Sequence, residues 1–212
     1  MNEGTIMTLN PWRSIWLKPR ATIRQIVDTN PERNVVALAA AAGVLQTLLN
    51  AVSENYGDQL GLIPILLFAL VLAPIFGVIM LYVVAVLLRW TGRWLGGVGT
   101  LRDLRAAIAW GSAPTVMGGV GMLVALLVAG HDLFSTVQPW LARNPTLMMI
   151  AGVGLMVQGV TAVWSFFTGI KCVAEVQEFS AWKALGNYVL VILILLAVVF
   201  AIVFGVLMVT GK

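Results

Sequence analysis

The sequence holds few residues able to do chemistry, and their spacing limits what each could do. Its one histidine, His131, is followed directly by Asp132 and then by Ser135. A serine hydrolase needs a nucleophile, a base, a carboxylate orienting that base, and donors aimed at the developing oxyanion. Here the histidine and aspartate are neighbours in a loop and no oxyanion element accompanies them, so acyl transfer is not expected. Cys172 is the only cysteine, which excludes an internal disulfide framework and a cysteine zinc site. One histidine and scattered carboxylates are too few ligands for a metal centre. The run Gly96-Gly97-Val98-Gly99-Thr100 invites comparison with a phosphate loop, but it lacks the Gly-Lys-Ser/Thr ending and a preceding strand. It reads as a flexible turn before a helix. No catalytic residue, metal or cofactor is expected, and the chain reads as a non-enzyme.

The elements that must position these residues are apolar. Of the 212 residues, 60% are hydrophobic and 10% charged, and the mean hydropathy is +0.95. Soluble domains carry about 25% charged residues. A helix needs about 20 mostly apolar residues to cross about 30 Å of hydrocarbon. Five stretches qualify, over residues 34–52, 62–88, 108–129, 147–168 and 188–210, and all nine acidic and all thirteen Lys/Arg residues fall outside them. Because a charge at the bilayer centre costs about 2.5–3.5 kcal/mol on the mildest scale, that partition supports the count. The expected fold is all-α: a polytopic membrane bundle of five transmembrane helices over residues 34–212, preceded by a cytoplasmic amphipathic segment over 1–33. Neither a secretory signal nor a lipidation motif is expected in that segment.

Orientation follows from the basic residues. Arg13, Lys18, Arg20, Arg24 and Arg33 precede the first span; Arg89, Arg93, Arg102 and Arg105 lie between the second and third; Lys171 and Lys183 lie between the fourth and fifth. These eleven share one side, leaving Arg143 and Lys212 on the other with Glu54 and Asp58. The N-terminus is expected in the cytoplasm and the C-terminus outside. The positive charge is spread among short loops, so the net charge of +4 reads as topology and no nucleic-acid partner is expected. Trp12, Trp16, Trp90, Trp94, Trp110, Trp164 and Trp182 fall near the inner boundary and Trp140 near the outer one, as in an interfacial belt.

Inside the spans, Pro64, Pro74 and Pro114 are expected to kink helices. Small residues at Ala39, Gly43, Thr47 and Ala51, and at Gly111, Gly118, Gly121, Ala125 and Ala129, form ridges for close helix packing, with a dimer seam as the alternative. Gln46, Thr47 and Asn50 in the first span, and Gln158, Thr161 and Ser165 in the fourth, are expected to hydrogen-bond between helices. A small polar cavity formed by Gln46, Asn50, Gln158 and Thr161 is the functional alternative. At the inner face, Trp12, Ile15 and Trp16, then Ile23, Ile26 and Val27 beyond Pro19, predict a short amphipathic helix on anionic headgroups, ending near Asp28-Thr29-Asn30-Pro31. Thr100, with Asp103 behind it, and Ser180 are placed to cap the helices that lead into the third and fifth spans.

Four stretches, in this order, resemble bacterial members of the Ypt-interacting protein (Yip) domain family. They are Asn10-Pro-Trp-Arg-Ser-Ile-Trp with Lys18-Pro-Arg-Ala-Thr-Ile-Arg, Trp90-Thr-Gly-Arg-Trp-Leu-Gly-Gly, Asp103-Leu-Arg-Ala-Ala-Ile-Ala-Trp-Gly-Ser-Ala-Pro114, and Ala174-Glu-Val-Gln-Glu-Phe-Ser-Ala-Trp-Lys-Ala-Leu. The resemblance covers essentially the whole chain and implies a five-helix bundle in the bacterial inner membrane with a cytoplasmic N-terminus. Eukaryotic relatives act in vesicle traffic and interact with prenylated Rab-type GTPases. Their Asp-Leu-Tyr-Gly-Pro motif is missing here and their long N-terminal domain is reduced to the segment before the first span, so that activity does not carry over. What carries over is an adaptor or membrane-organising role.

The expected function is therefore non-enzymatic binding of proteins or lipids at the cytoplasmic face, beside the bilayer itself and with self-association as a further possibility. The candidate surface comprises Trp12, Trp16, Arg20, Arg24, Arg93, Arg102, Asp103, Arg105, Glu175, Glu178 and Phe179. The alternative is a transporter, channel or lipid-moving protein that uses a groove between kinked helices, motivated by Pro74, Pro114 and the glycine-rich third span.

Overall fold

A computed structural model describes residues 9–210. Residues 1–8 of the expected N-terminal segment and Lys212 lie outside the described residues. The chain forms α1 (Pro11–Ser14), α2 (Pro19–Thr29), α3 (Val35–Ser53), α4 (Leu62–Leu67), α5 (Ala73–Trp94), α6 (Leu101–Gly111), α7 (Ala113–Ala129), α8 (Pro139–Arg143), α9 (Pro145–Val176) and α10 (Ala181–Thr210). Five continuous helical stretches are long and apolar enough to cross a membrane: Val35–Ser53, Leu62–Trp94, Leu101–Phe134, Pro145–Val176 and Ala181–Met208. They match the five expected spans, and the last four extend past them at the basic end. The 32 residues of α9 rise about 48 Å at 1.5 Å per residue, well beyond the hydrocarbon, so Lys171 and Glu175 ride on a helix rather than a loop.

The prolines act locally. Pro64 lies in the first turn of α4, where its missing N–H leaves no bond unmade. Pro74 is the second residue of α5 and follows a π-helical turn over Phe68–Leu72; the wider turn accommodates a ring that would clash in a regular helix. Pro114 opens α7 just after Ser112, where the third span changes from α6 to α7 and the Ser112 hydroxyl donates to the Ala109 carbonyl at 2.7 Å.

Small residues set the approach of the helices. A Cβ on Gly43 would come within 2.9 Å of the Gly77 Cα across α3 and α5, and one on Gly111 within 2.7 Å of the Gly169 Cα across α6 and α9. Gly118 faces Thr161 and Gly121 faces Gly154 in the same way across α7 and α9. Gly111, Gly118 and Gly121 are thus buried within one chain and are not available as a dimer seam, whereas Gly43 touches Gly77 but stays half-buried. The core has two apolar clusters, one at the basic end around Leu88, Leu104, Trp110 and Val173, the other towards the opposite end around Leu45, Ile65, Met122 and Phe134. From Ile192 to Met208, nearly every α10 side chain is exposed and apolar, a surface suited to lipid.

The N-terminal segment is amphipathic, as expected, and α2 ends at Thr29. Its apolar face, however, does not look outward onto headgroups. Ile15, Ile23 and Ile26 are fully buried in the basic-end cluster, with α2 seated on α6 and α9. Burying one such side chain contributes about 1.5–3 kcal/mol. Three of them make this arm part of the fold.

Candidate functional site

Two carboxylates organise the basic end, and each gathers two arginines. Glu175, in the last turn of α9, accepts from Arg24 Nε at 3.1 Å and Arg20 Nη1 at 3.4 Å. Arg24 Nη2 also donates to the Glu175 carbonyl at 3.1 Å, and Arg20 Nη2 to the Phe179 carbonyl at 3.3 Å. Both guanidinium groups therefore sit at the C-terminus of α9, where unpaired carbonyls and the helix dipole favour positive charge. Glu32, in the turn after α2, accepts from Arg105 Nη2 at 2.7 Å and lies 3.5 Å from Arg102 Nε. Arg105 is further held over the Tyr82 ring at 4.7 Å. One set of pairs ties α2 to α9; the other ties the turn after α2 to α6.

Tryptophans complete the seat. Trp110 is fully buried and donates to the Arg33 carbonyl at 2.9 Å, and the Trp12 ring packs 5.0 Å from it. Trp164 donates to the Trp16 carbonyl at 3.0 Å. Trp110 thus belongs to the core and not to an interfacial belt, because it closes the joint between the arm and α6. Trp90, Trp94 and Trp182 remain exposed, Trp182 at 81%.

Beneath this face lies a buried polar node that sequence reasoning missed. Gln177 is 1% exposed; its Oε1 accepts from the Gly99 N–H at 3.1 Å and its Nε2 donates to the Leu88 carbonyl at 3.1 Å. Asn187 of α10, also fully buried, donates to that same carbonyl at 3.1 Å, and its Oδ1 lies 2.5 Å from the Thr91 hydroxyl. The node joins α5, the glycine-rich loop, α9 and α10. Gly92, Gly97 and Gly99 are small because the Gln177 side chain occupies the space a Cβ would need. Instead of a flexible turn, the loop is a packed one, with Gly96 alone at positive φ (+78°) among the loop glycines. The spacing of these glycines, and polar residues beside spans otherwise free of them, were the available signals.

The caps appear where expected. Thr100 and Asp103 form a reciprocal capping box on α6, and the Ser180 hydroxyl accepts from the Lys183 N–H at 3.2 Å. Glu178 takes a left-handed φ of 57°, and the Phe179 N–H bonds back to the Ala174 carbonyl at 2.7 Å. That C-terminal turn folds Phe179 inward, leaving it 4% exposed with Lys183 Nζ 4.7 Å above its ring. Phe179 is a core residue, so of the expected surface Arg20, Arg93, Arg102 and Glu178 stay exposed, Trp12, Trp16, Arg24, Asp103, Arg105 and Glu175 are half-buried, and Phe179 is withdrawn.

The expected intramembrane cluster divides. Gln46 Nε2 donates to Asn50 Oδ1 at 2.9 Å on the exposed side of α3. Gln158 is buried on α9, its Nε2 3.5 Å from the Thr115 carbonyl, and the Thr161 hydroxyl donates to the Gln158 carbonyl at 2.9 Å. The reason is packing: α3 lies against α5 and α7, while α9 takes the other side of α7 through its glycines. No shared polar cavity joins the four.

At the far end, His131 Nδ1 does lie 3.3 Å from the Ser135 hydroxyl, but Nε2 faces the Leu60 carbonyl at 3.2 Å. Asp132 instead accepts the Trp140 and Leu141 N–H groups at 2.7 and 3.1 Å, which starts α8. The triad's carboxylate is directed to a helix N-terminus. Asp58 accepts from the Thr136 hydroxyl at 2.6 Å and its N–H at 2.9 Å, and these bonds hold its carboxyl below the ordinary carboxylate range.

Comparison with curated proteins and with solved structures found no match. The family model described as the Yip1 domain matches residues 13–203, a stretch that takes in α2 and the whole membrane bundle as far as Val203 of α10. The chain is an integral, multi-pass membrane protein, and it belongs to the Yip1 domain family.

Proposed function

We propose that this protein is an adaptor or membrane-organising protein of a bacterial inner membrane, and that its basic end faces the cytoplasm as a binding face for another protein or for lipid headgroups. The observation that carries this reading is the convergence of all four described ion pairs on one end, where they link the arm to α6 and α9. The excess of basic residues in the loops at that end supports a cytoplasmic orientation. Its outer layer presents Arg93, Arg102, Glu178, Trp94 and Trp182 on a rigid base. Arginine and tryptophan are the side chains most often dominant in binding, and prior fixation of the arm reduces the ordering cost of association.

Passage of a solute through the bundle is the weaker reading. The third and fourth spans meet at Gly111 with Gly169 and at Gly121 with Gly154, too closely to leave a path between them.

A photoreactive residue at Trp94 in the full chain, with Val199 of α10 as the lipid-facing control, tests the proposal in intact cells. Discrete protein or headgroup adducts from position 94, absent from position 199, are expected. Identical adducts from both positions would refute it.

A further inference from the structure

A groove of about 330 Å³ lies between α3, α5 and α6, in the size range of small-ligand sites. Its floor is made of Ala39, Gly43, Ala73 and Gly77, and Phe76 and Met80 stand on its rim. Gly43 and Gly77 are small because the two backbones touch there, and the π-helical turn before Ala73 displaces the start of α5. The result is a slot with a narrow floor and bulky edges, open towards the lipid side.

Gln46 lines the mouth of this slot, and Asn50 lies one turn further along the exposed side of α3. Both are inside the Val35–Ser53 span, where a bare carboxamide facing hydrocarbon is unfavourable. Their mutual bond satisfies one donor and one acceptor. Among the described residues the Asn50 amide N–H groups and the Gln46 carbonyl have no further partner. The pair therefore offers the Asn50 amide as donor and the Gln46 carbonyl as acceptor, side by side, above an apolar slot.

We propose that the groove is a binding site for one acyl chain of an ester-linked glycerolipid, drawn from the leaflet at the C-terminal end of α3. The chain lies in the slot and its ester carbonyl accepts from the Asn50 amide, which the bond from Gln46 holds in place at the mouth. A second copy of this protein is disfavoured as occupant: a helix with its side chains is about 10 Å across, and a slot of 330 Å³ walled by three helices and open on one side suits a single alkyl chain. This site is separate from the basic end and does not depend on the adaptor reading.

The test uses the full chain in vesicles of phosphatidylethanolamine and phosphatidylglycerol, with a trace of phosphatidylethanolamine carrying a diazirine on one acyl chain. After photolysis, adducts are located by peptide mass spectrometry. Labelling at Phe76 and Met80 is expected several-fold above that at Val199 and Phe200 of α10, which report ordinary annular lipid. Ala42→Phe, which fills the slot from α3, should reduce the groove signal to the annular level. Gln46→Leu with Asn50→Leu should lower it while leaving α10 labelling unchanged. Groove labelling no higher than α10 in the unaltered chain would overturn the proposal, whether or not the variants fold. So would groove labelling indifferent to Ala42→Phe, or chain-to-chain adducts in place of lipid adducts at Phe76.

Discussion

The side-chain carbonyl of Gln177 accepts the backbone N–H of Gly99 across 3.1 Å, and both residues are buried. A loop rich in glycine is thereby fixed to the end of α9. Gln177→Ala leaves the buried Gly99 N–H unpaired, at a cost of about 1–3 kcal/mol, and removes one of the two side-chain donors to the Leu88 carbonyl, which Asn187 still satisfies. We expect a clear fall in thermal midpoint in detergent. Gly97→Ala should destabilise as well, because its Cβ would meet Gln177 and come within 2.8 Å of Phe179 Cζ. A midpoint unchanged in both variants would show that the node does not hold the loop.

The arm is fixed by apolar burial more than by charge. Arg20 and Arg24 are nearly half exposed, and ion pairs of that kind contribute about 0–1 kcal/mol. Removing a buried Ile side chain costs about 2–5 kcal/mol. Trypsin cleavage after Arg20 and Arg24 should therefore be slow in the native chain, modestly faster in Glu175→Gln, and much faster in Ile23→Ala. The reverse ranking of the two variants would mean that charge dominates.

Glycines on α9 should divide by what they face. A Cβ on Gly154 would collide with the Gly121 backbone, whereas one on Gly159 meets nothing within 4 Å. Gly154→Ala should reduce the folded yield and lower the thermal midpoint. Gly159→Ala should be neutral or stabilising by up to about 1 kcal/mol, since alanine is the better helix former. Equal effects would contradict the close α7–α9 crossing.

At the opposite end, Asp58 predicts a pH response. Its carboxyl is held below the ordinary aspartate range, chiefly by the Thr136 hydroxyl and then by the Thr136 N–H. A depressed carboxylate contributes in full above the unfolded value, and that contribution is lost as pH falls through the lower folded one. Amide exchange at Thr136, corrected for intrinsic rate, should accelerate only below about pH 4. In Asp58→Asn it should be faster at neutral pH and lack that acid step.

Much of this fold was legible in the sequence, because lipid solvent restricts it so strongly. Long apolar runs free of charge gave the five spans; Thr100 with Asp103, and Ser180, marked helix starts by cap chemistry that needs only neighbours. The site was less legible wherever a residue's role depends on distant partners. Ile23 and Trp110 carry interfacial composition, yet only the seat between α6 and α9 shows that they are core. Phe179 sits in a charged stretch and is turned inward by the left-handed Glu178. Gln158 and Gln46 have like side chains at similar depth, but α7 stands between their helices. Gln177 gave no pattern by itself: its role exists only with Gly92, Gly97 and Gly99, two full spans away.

The central claim is that the basic end, on its fixed base, is the face that binds. The most direct measurement is photo-adduct yield at position 94 in the full chain, with and without Arg102→Ala combined with Glu178→Ala. Both residues are exposed and outside the buried node, and Glu32 keeps its shorter bond to Arg105, so the thermal midpoint should barely move. We predict a several-fold loss of adduct at an unchanged midpoint. An undiminished yield in that double variant would contradict the account.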